Sequence, residues 1–438
     1  MTVELWTVLI LASLFGLLAI GVPIGFATGA IAMAVTFTAY GPNAVSLVTS
    51  RIFTLATDYV LIAVPMFVLM AAVLDRSGIA RDLFRAMRLL AGRVPGALAA
   101  QTLFAAVVMA AMTGIIGSEI VLLGLVALPQ MLAAGYDRRL AIGTICAGGS
   151  LGTMIPPSVV LIIYGITVNV SIGDLFLASF LPGLLLAALY AGYILVRCAL
   201  DPTLGPPPDA GGPALSPREK LALLKNLVLP VLVVAAVMVS IYGGIASVSE
   251  AAAMGAVGAL VSAAVRRELT LGLVADALMQ TFVTCGTVLW LIFGATALVG
   301  IYNLLGGAEL VRELITGLPL SPLAIVVLMQ LIVILLGCFV DWIGICLLTM
   351  PIFVPIIVHL GFDPIWFGVL FSMNVQIGFL TPPFAGAAFY LKGVAPPEIG
   401  LEEIFRSLWP FVGLQLTGLL LVLFFPAIAM ALPRWLAG

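Results

Sequence analysis

Apolar runs of helix length follow one another along almost the whole chain, divided by short polar segments. Runs near 5–20, 22–40, 59–75, 175–198, 227–243, 249–265, 275–302 and 409–432 approach the roughly 20 apolar residues that a bilayer core demands, so each predicts one crossing. Two further runs, 140–169 and 365–391, hold a Pro-Pro pair at their centre and predict helices that cross but break half-way. Two longer stretches, about 96–134 and 320–360, read as re-entrant hairpins that enter and leave on one side. Composition agrees, at 63% hydrophobic and 9% charged residues with mean hydropathy +1.28. Soluble domains carry roughly 25% charge, so the chain is predicted to be an all-α polytopic membrane protein. The first run has neither a basic flank nor a small-residue cleavage site, and reads as a retained helix rather than a signal peptide.

One stretch occurs twice. Residues 135–164 read GYDRRLAIGTICAGGSLGTMIPPSVVLIIY, and residues 361–390 read GFDPIWFGVLFSMNVQIGFLTPPFAGAAFY. A constant offset of 226 superimposes Gly135 on Gly361, Asp137 on Asp363, Gly152 on Gly378, Pro156-Pro157 on Pro382-Pro383 and Tyr164 on Tyr390, without a gap. Broken membrane helices at matching places in two halves are the best sequence pointer to a transport site.

Basic residues set the orientation. With the N-terminus outside and both hairpins re-entrant, the arginines and lysines of 76–93, 138–139, 197–225, 266–267, 392 and 406 fall in or beside cytoplasmic segments. Only Arg51, Arg312 and Arg434 remain outside, as the positive-inside rule requires. Each half then holds five crossings and one hairpin. Five is odd, so the second copy is predicted to be inverted. The expected plan is a first repeat at 1–200, a polar, Pro-rich cytoplasmic linker at 201–226, and a second repeat at 227–438. Interfacial helices are expected near 83–90, within the basic 76–93 run facing anionic lipid headgroups, and near 399–408.

Four backbone pieces should converge near the midplane. Hairpin one offers its tip with Gly117, Ser118 and Glu119; the following break offers Gly149, Ser150 and Gly152 before Pro156. Hairpin two offers Asp341 and Gly344; the second break offers Asn374, Gln376, Gly378 and Thr381 before Pro382. Proline frees a carbonyl one turn back, and glycine lets backbone approach an ion closely. Such carbonyls, with hydroxyl and amide oxygens, suit sodium, and exposed helix N-termini suit an anion. Almost no basic residue lies at this depth, which favours a sodium-coupled anion carrier over one built around an arginine clamp. No other cofactor is expected, and the net charge of −2 offers no nucleic-acid surface. The five cysteines lack metal-ligand spacing and read as packing residues. His359 is expected at an exposed interface, and Gly25, Gly29 and Gly255 in close helix packing. An intramembrane enzyme would need a paired catalytic set that this lone histidine does not supply.

The run TGIIGSEIVLLGLVALPQMLAAGYDRRLAIGTICAGGSLGTMIPPS, with SIGDLFLASFLPG beyond it, resembles the large membrane subunit (DctM-like) of tripartite ATP-independent periplasmic (TRAP) transporters. GCFVDWIGICLLTMPIFVPII, GFDPIWFGV, IGFLTPPFAGAAF and the N-terminal GVPIGFA carry the resemblance through nearly the whole chain. The hairpin-one tip GIIGSEIVLLG departs from the Ser-rich tip with a later Asp that many members carry, and resembles the branch linked to 2-oxo and other monocarboxylic acids. The resemblance implies an elevator-type carrier of the ion-transporter superfamily, coupled to sodium. It further implies a separate small four-helix membrane subunit (DctQ-like), and a periplasmic binding protein (DctP-like or TAXI-like) that delivers the substrate in the bacterial inner membrane. A stand-alone divalent-anion symporter is the alternative; it would typically show Ser-Asn-Thr motifs at both tips, and these are missing.

Overall fold

The computed structural model describes residues 1–78, 94–114, 117–207, 217–383 and 385–437. Among them it contains nineteen α-helices. The first half runs α1 (Val3–Ala19), α2 (Ile24–Tyr40), α3 (Val45–Ala56), α4 (Ala63–Arg76), α5 (Ala97–Thr113), α6 (Ser118–Ala133), α7 (Arg138–Ser150), α8 (Val159–Val168) and α9 (Ile172–Leu200). The second runs α10 (Pro217–Tyr242), α11 (Val248–Val265), α12 (Leu271–Leu304), α13 (Gly307–Thr316), α14 (Pro322–Gly337), α15 (Trp342–His359), α16 (Pro364–Leu380), α17 (Gly386–Lys392), α18 (Leu401–Phe424) and α19 (Ala427–Ala437).

The repeated Gly-aromatic-Asp motif has a local cause. Gly135 and Gly361 sit at φ +78° and +83°, the left-handed geometry that ends a helix without steric cost. Two residues on, Asp137 Oδ1 accepts the Leu140 N–H at 2.9 Å and Asp363 Oδ1 accepts the Ile365 N–H at 2.7 Å, so each aspartate caps the next helix. Both Pro-Pro bonds are cis and lie in the non-helical connections of α7 to α8 and of α16 to α17. The hairpin helices α5 and α6 have 17 and 16 residues. At 1.5 Å per residue they reach roughly 24–26 Å, short of the ~30 Å hydrocarbon core.

The 226 offset carries α2 onto α11, the α5–α6 pair onto α14–α15, and α7, α8 and α9 onto α16, α17 and α18. Packing follows the same exchange. Helix α4 lies on α11 while its counterpart α12 lies on α2, and α7 lies on α18 while α16 lies on α9. The largest fully buried side chains, including Trp366, Tyr164, Tyr190, Phe176, Phe371 and Phe411, sit in or beside the two broken helices, so the tightest core surrounds the breaks. Among the described residues six helices or helical segments are long and apolar enough to cross a membrane alone, and nine shorter apolar ones accompany them.

Several expectations need correction. The segment taken as linker through 226 ends earlier, because α10 begins at Pro217; LALLKNL already has helical apolar spacing. No separate interfacial helix occupies 399–408, because α18 runs unbroken from Leu401 to Phe424. The last span ends at Phe424 and α19 follows at Ala427 after Pro426. Helices α3 and α13 were not expected; their apolar positions form a stripe, which averaged hydropathy blurs. The interfacial helix expected near 83–90 lies outside the described residues.

Candidate functional site

A cavity of about 910 Å³ lies where the hairpin-two tip meets the second helix break and the middle of α12. Asp341, Gly337, Gly378, Pro383 and Tyr390 line it from one side, Thr287 and Leu291 of α12 from the other. Asp341 caps α15, its Oδ2 accepting the Ile343 N–H at 3.1 Å, so the carboxylate is held at the cavity wall. Gly337 and Gly378 let tip and break touch through bare backbone: a Cβ on Gly378 would sit 3.0 Å from the Gly337 Cα. Tyr390 stacks on Phe379, with ring centroids 6.0 Å apart.

The first break is closed. The Val159 N–H donates to the Gly114 carbonyl at 3.1 Å, latching the hairpin-one tip onto the chain just past Pro157. Gly114 adopts φ +61°, and a Cβ there would lie 2.1 Å from the Pro157 carbonyl oxygen, so only glycine allows this approach. Behind the tip Glu119 is fully buried; Thr113 Oγ1 donates to its Oε1, while its Oε2 has no partner among the described residues.

Buried polar side chains tie the two breaks together. The Thr153 carbonyl accepts from Ser158 Oγ at 2.6 Å and from Ser372 Oγ at 2.8 Å. Gln376 Nε2 donates to Thr153 Oγ1 at 2.7 Å, and Gln415 Nε2 reaches Gln376 Oε1 and Ser150 Oγ at 3.3 Å each. Asn374 Nδ2 donates to Gln330 Oε1 and its backbone carbonyl, both at 2.8 Å, binding α16 to hairpin two. Two hairpins packed against two cross-linked broken helices make a single body.

The family model for the DctM component of tripartite ATP-independent periplasmic transporters matches residues 11–428. The chain belongs to that family. A TRAP large permease is a transport subunit of the membrane, not an enzyme. The chain is 30% identical over 406 residues to the C4-dicarboxylate TRAP transporter large permease protein DctM of Pseudomonas aeruginosa, covering 92% of this chain and 93% of that one. It is 29% identical to the sialic acid TRAP transporter large permease protein SiaM of Vibrio cholerae, with 97% of each covered. The isethionate TRAP transporter permease protein DctMQ of Oleidesulfovibrio alaskensis is 29% identical, with 94% of this chain matched to 64% of that longer one. Among solved structures, the YdaH transporter of Alcanivorax borkumensis superimposes with TM-score 0.63 at 18% identity, covering 89% of this chain and 88% of the other. At that identity the likeness is one of fold.

The residues singled out in this TRAP permease from its sequence divide into three groups. Asp341 and Gly378 line the cavity directly; Thr381 and Pro382 are half-buried just before Pro383 of its wall, with Thr381 Oγ1 donating to the Ile377 carbonyl at 2.6 Å. Ser150, Asn374 and Gln376 are interior cross-links, while Gly152 and Pro156 are buried between them. Close packing occupies the rest: Gly117 faces the Tyr390 ring, Gly149 faces Ile120, Gly344 faces Ile24 of α2, Ser118 opens α6 beside Gly117, and Glu119 is buried behind them. Sequence reasoning missed Gln330 and Gln415. Each is a lone amide in an apolar helix, a signal that deserved the attention given to the charged residues.

Proposed function

We propose that this chain is the large permease subunit for sodium-coupled symport of a small organic acid anion across the bacterial inner membrane. The observation that carries the reading is the 910 Å³ cavity at one break, set against a latched, closed counterpart at the other. Alternating access needs that asymmetry. The inverted-repeat plan, with halves at 1–200 and 227–438, supplies two arrangements of nearly equal energy. The two hairpins and broken helices form the moving body, and α4 and α12 with their partners α2 and α11 form the scaffold along which it slides. The relatives named for C4-dicarboxylates, sialic acid and isethionate have an acid anion in common.

Sodium follows from charge. Among the described residues Asp341 is the one charged side chain on the cavity wall, and a bare carboxylate beside it would be repelled. A sodium ion held by Asp341 and carbonyls freed at the break relieves that repulsion. Glu119 Oε2, which has no partner among the described residues, marks a second place that a cation suits. A separate DctQ-like membrane subunit and a DctP-like or TAXI-like periplasmic binding protein complete the system. The substrate is drawn from small monocarboxylic or dicarboxylic acids.

Reconstitution in liposomes with a DctQ-like small membrane subunit and a periplasmic binding protein tests this. Uptake of radiolabelled succinate or lactate should appear on an inward sodium gradient and vanish with potassium on both sides. Equal uptake driven by a proton gradient without sodium overturns the coupling. Saturable uptake by this chain alone overturns the need for partners, and favours a stand-alone symporter.

A further inference from the structure

We propose that Arg51, with the small cavity beside it, forms a carboxylate docking site in series with the main cavity, on the opposite side of the closed contact between α12 and α15. The inference rests on the reading of the chain as an acid-anion carrier and adds a site to it. Arg51 is one of three basic residues that the charge pattern leaves outside, and no described residue pairs with it. Its side chain lies along α12 at Gly300, where a Cβ would sit 2.6 Å from Arg51 Cδ and crowd Nη1 at 3.3 Å. The glycine makes room for the guanidinium.

The cavity there is about 220 Å³. Its polar lining is Arg51 from α3, Thr296 and Asn303 from α12, and Thr167 from α8; Leu347 and Pro351 of α15 contribute apolar wall. No carboxylate lines it among the described residues. Thr296 and Asn303 stand seven residues apart, two turns along one helix face, and neither side chain bonds to another described residue. A fixed cation, a hydroxyl and an amide around one cavity are the donor set for an oxyanion, and the guanidinium can hold a carboxylate bidentately. The volume is below the roughly 300–1,000 Å³ of drug-sized sites, which suits a small acid.

Position gives the site its role. Helix α12 starts just after Arg266 and Arg267, touches the main cavity at Thr287 and Leu291, and touches the Arg51 cavity from Thr296 onward. The opposite wall, α8 and α15, belongs to the body that carries Asp341. An acid held at Arg51 therefore already rests against that body, on the side from which it must load.

The test reads charge rather than uptake. A single reporter, Val299→Cys in the cavity wall, is placed in a Cys338→Ser background, since the other four cysteines are buried. The purified chain is labelled with anionic methanethiosulfonate ethylsulfonate and with its cationic trimethylammonium counterpart. The anionic-to-cationic rate ratio should exceed one and fall about tenfold or more on Arg51→Gln, while Arg51→Lys keeps most of it. Succinate should slow labelling with Arg51 present, but not in Arg51→Gln. A ratio unmoved by Arg51→Gln overturns the site. So does failure to label at both Val299→Cys and a second reporter, Asn303→Cys. Protection by phosphatidylglycerol nanodiscs and not by succinate reassigns the place to a lipid phosphate and equally overturns the proposal. None of these outcomes depends on sodium or on partner subunits, so failure here and failure of the coupling mechanism are separable.

Discussion

The two helix breaks share a motif and a register, yet they are not in the same state. At the first, the Val159 N–H bonds the Gly114 carbonyl and the hairpin tip is latched. At the second, the equivalent N–H, that of Ala385, bonds the Thr381 carbonyl within its own turn, and Val340, the counterpart of Gly114, faces the open cavity. The repeated tyrosines diverge likewise. Tyr164 is buried and donates to the Pro364 carbonyl at 2.7 Å, whereas Tyr390 is 45% exposed at the cavity wall. Similar local sequence thus supports a closed and an open arrangement in one molecule. Whether a break is latched is decided by what packs against it.

The most severe way to break this contrast is to force the latch open. Gly114→Val places a side chain into the Pro157 carbonyl in a left-handed conformation that alone costs roughly 1–2 kcal/mol for a non-glycine residue. Uptake should be lost, and the thermal unfolding midpoint in detergent should fall by several degrees. Normal uptake would mean that the latch has no mechanical role.

Next comes the tip-to-break contact at the open site. Gly378→Val drives a branched side chain onto the Gly337 backbone, an overpacking cost of about 1–3 kcal/mol. Sodium-dependent uptake should vanish while the protein stays monodisperse on size exclusion. Gly152→Val, at the matching place in the closed half, should do the same. Both variants transporting normally would remove the breaks from the mechanism.

Asp341→Asn deletes the charge at the open site and leaves the closed one untouched. The sodium concentration for half-maximal uptake should rise about tenfold, or ~1.4 kcal/mol. His359→Ala, at an exposed helix end, is the control and should be nearly silent. The reverse ranking would place the ion elsewhere.

The smallest effect sharpens the comparison through the tyrosines. Tyr164→Phe removes a hydrogen bond from a buried carbonyl and should lower stability by about 1 kcal/mol. Tyr390 makes no hydrogen bond through its hydroxyl among the described residues, so Tyr390→Phe should leave the unfolding midpoint unchanged. Equal shifts in calorimetry would show that the two halves are not in different states.

Local chemistry was legible from the residues alone. Apolar run length marked the helices because hydrocarbon admits no unpaired backbone. The Gly-aromatic-Asp pair marked turns and caps because φ and first-turn donors are properties of a few consecutive residues. The Pro-Pro pairs marked both breaks because proline cannot donate. Asp341 and Gly378 were expected at a tip and a break for the same local reason, and both line the cavity. Only the tertiary structure decided the rest. Gln376 and Ser150 became cross-links, rather than ligands facing a cavity, because Thr153 and Gln415 arrive from helices distant in sequence. Glu119 turned inward onto Thr113 instead of facing the open cavity. The neighbours of the breaks were likewise set by the fold, with α12 lying on α15 and α4 on α5. A repeated motif carries no term for that, because its two copies differ mainly in their neighbours.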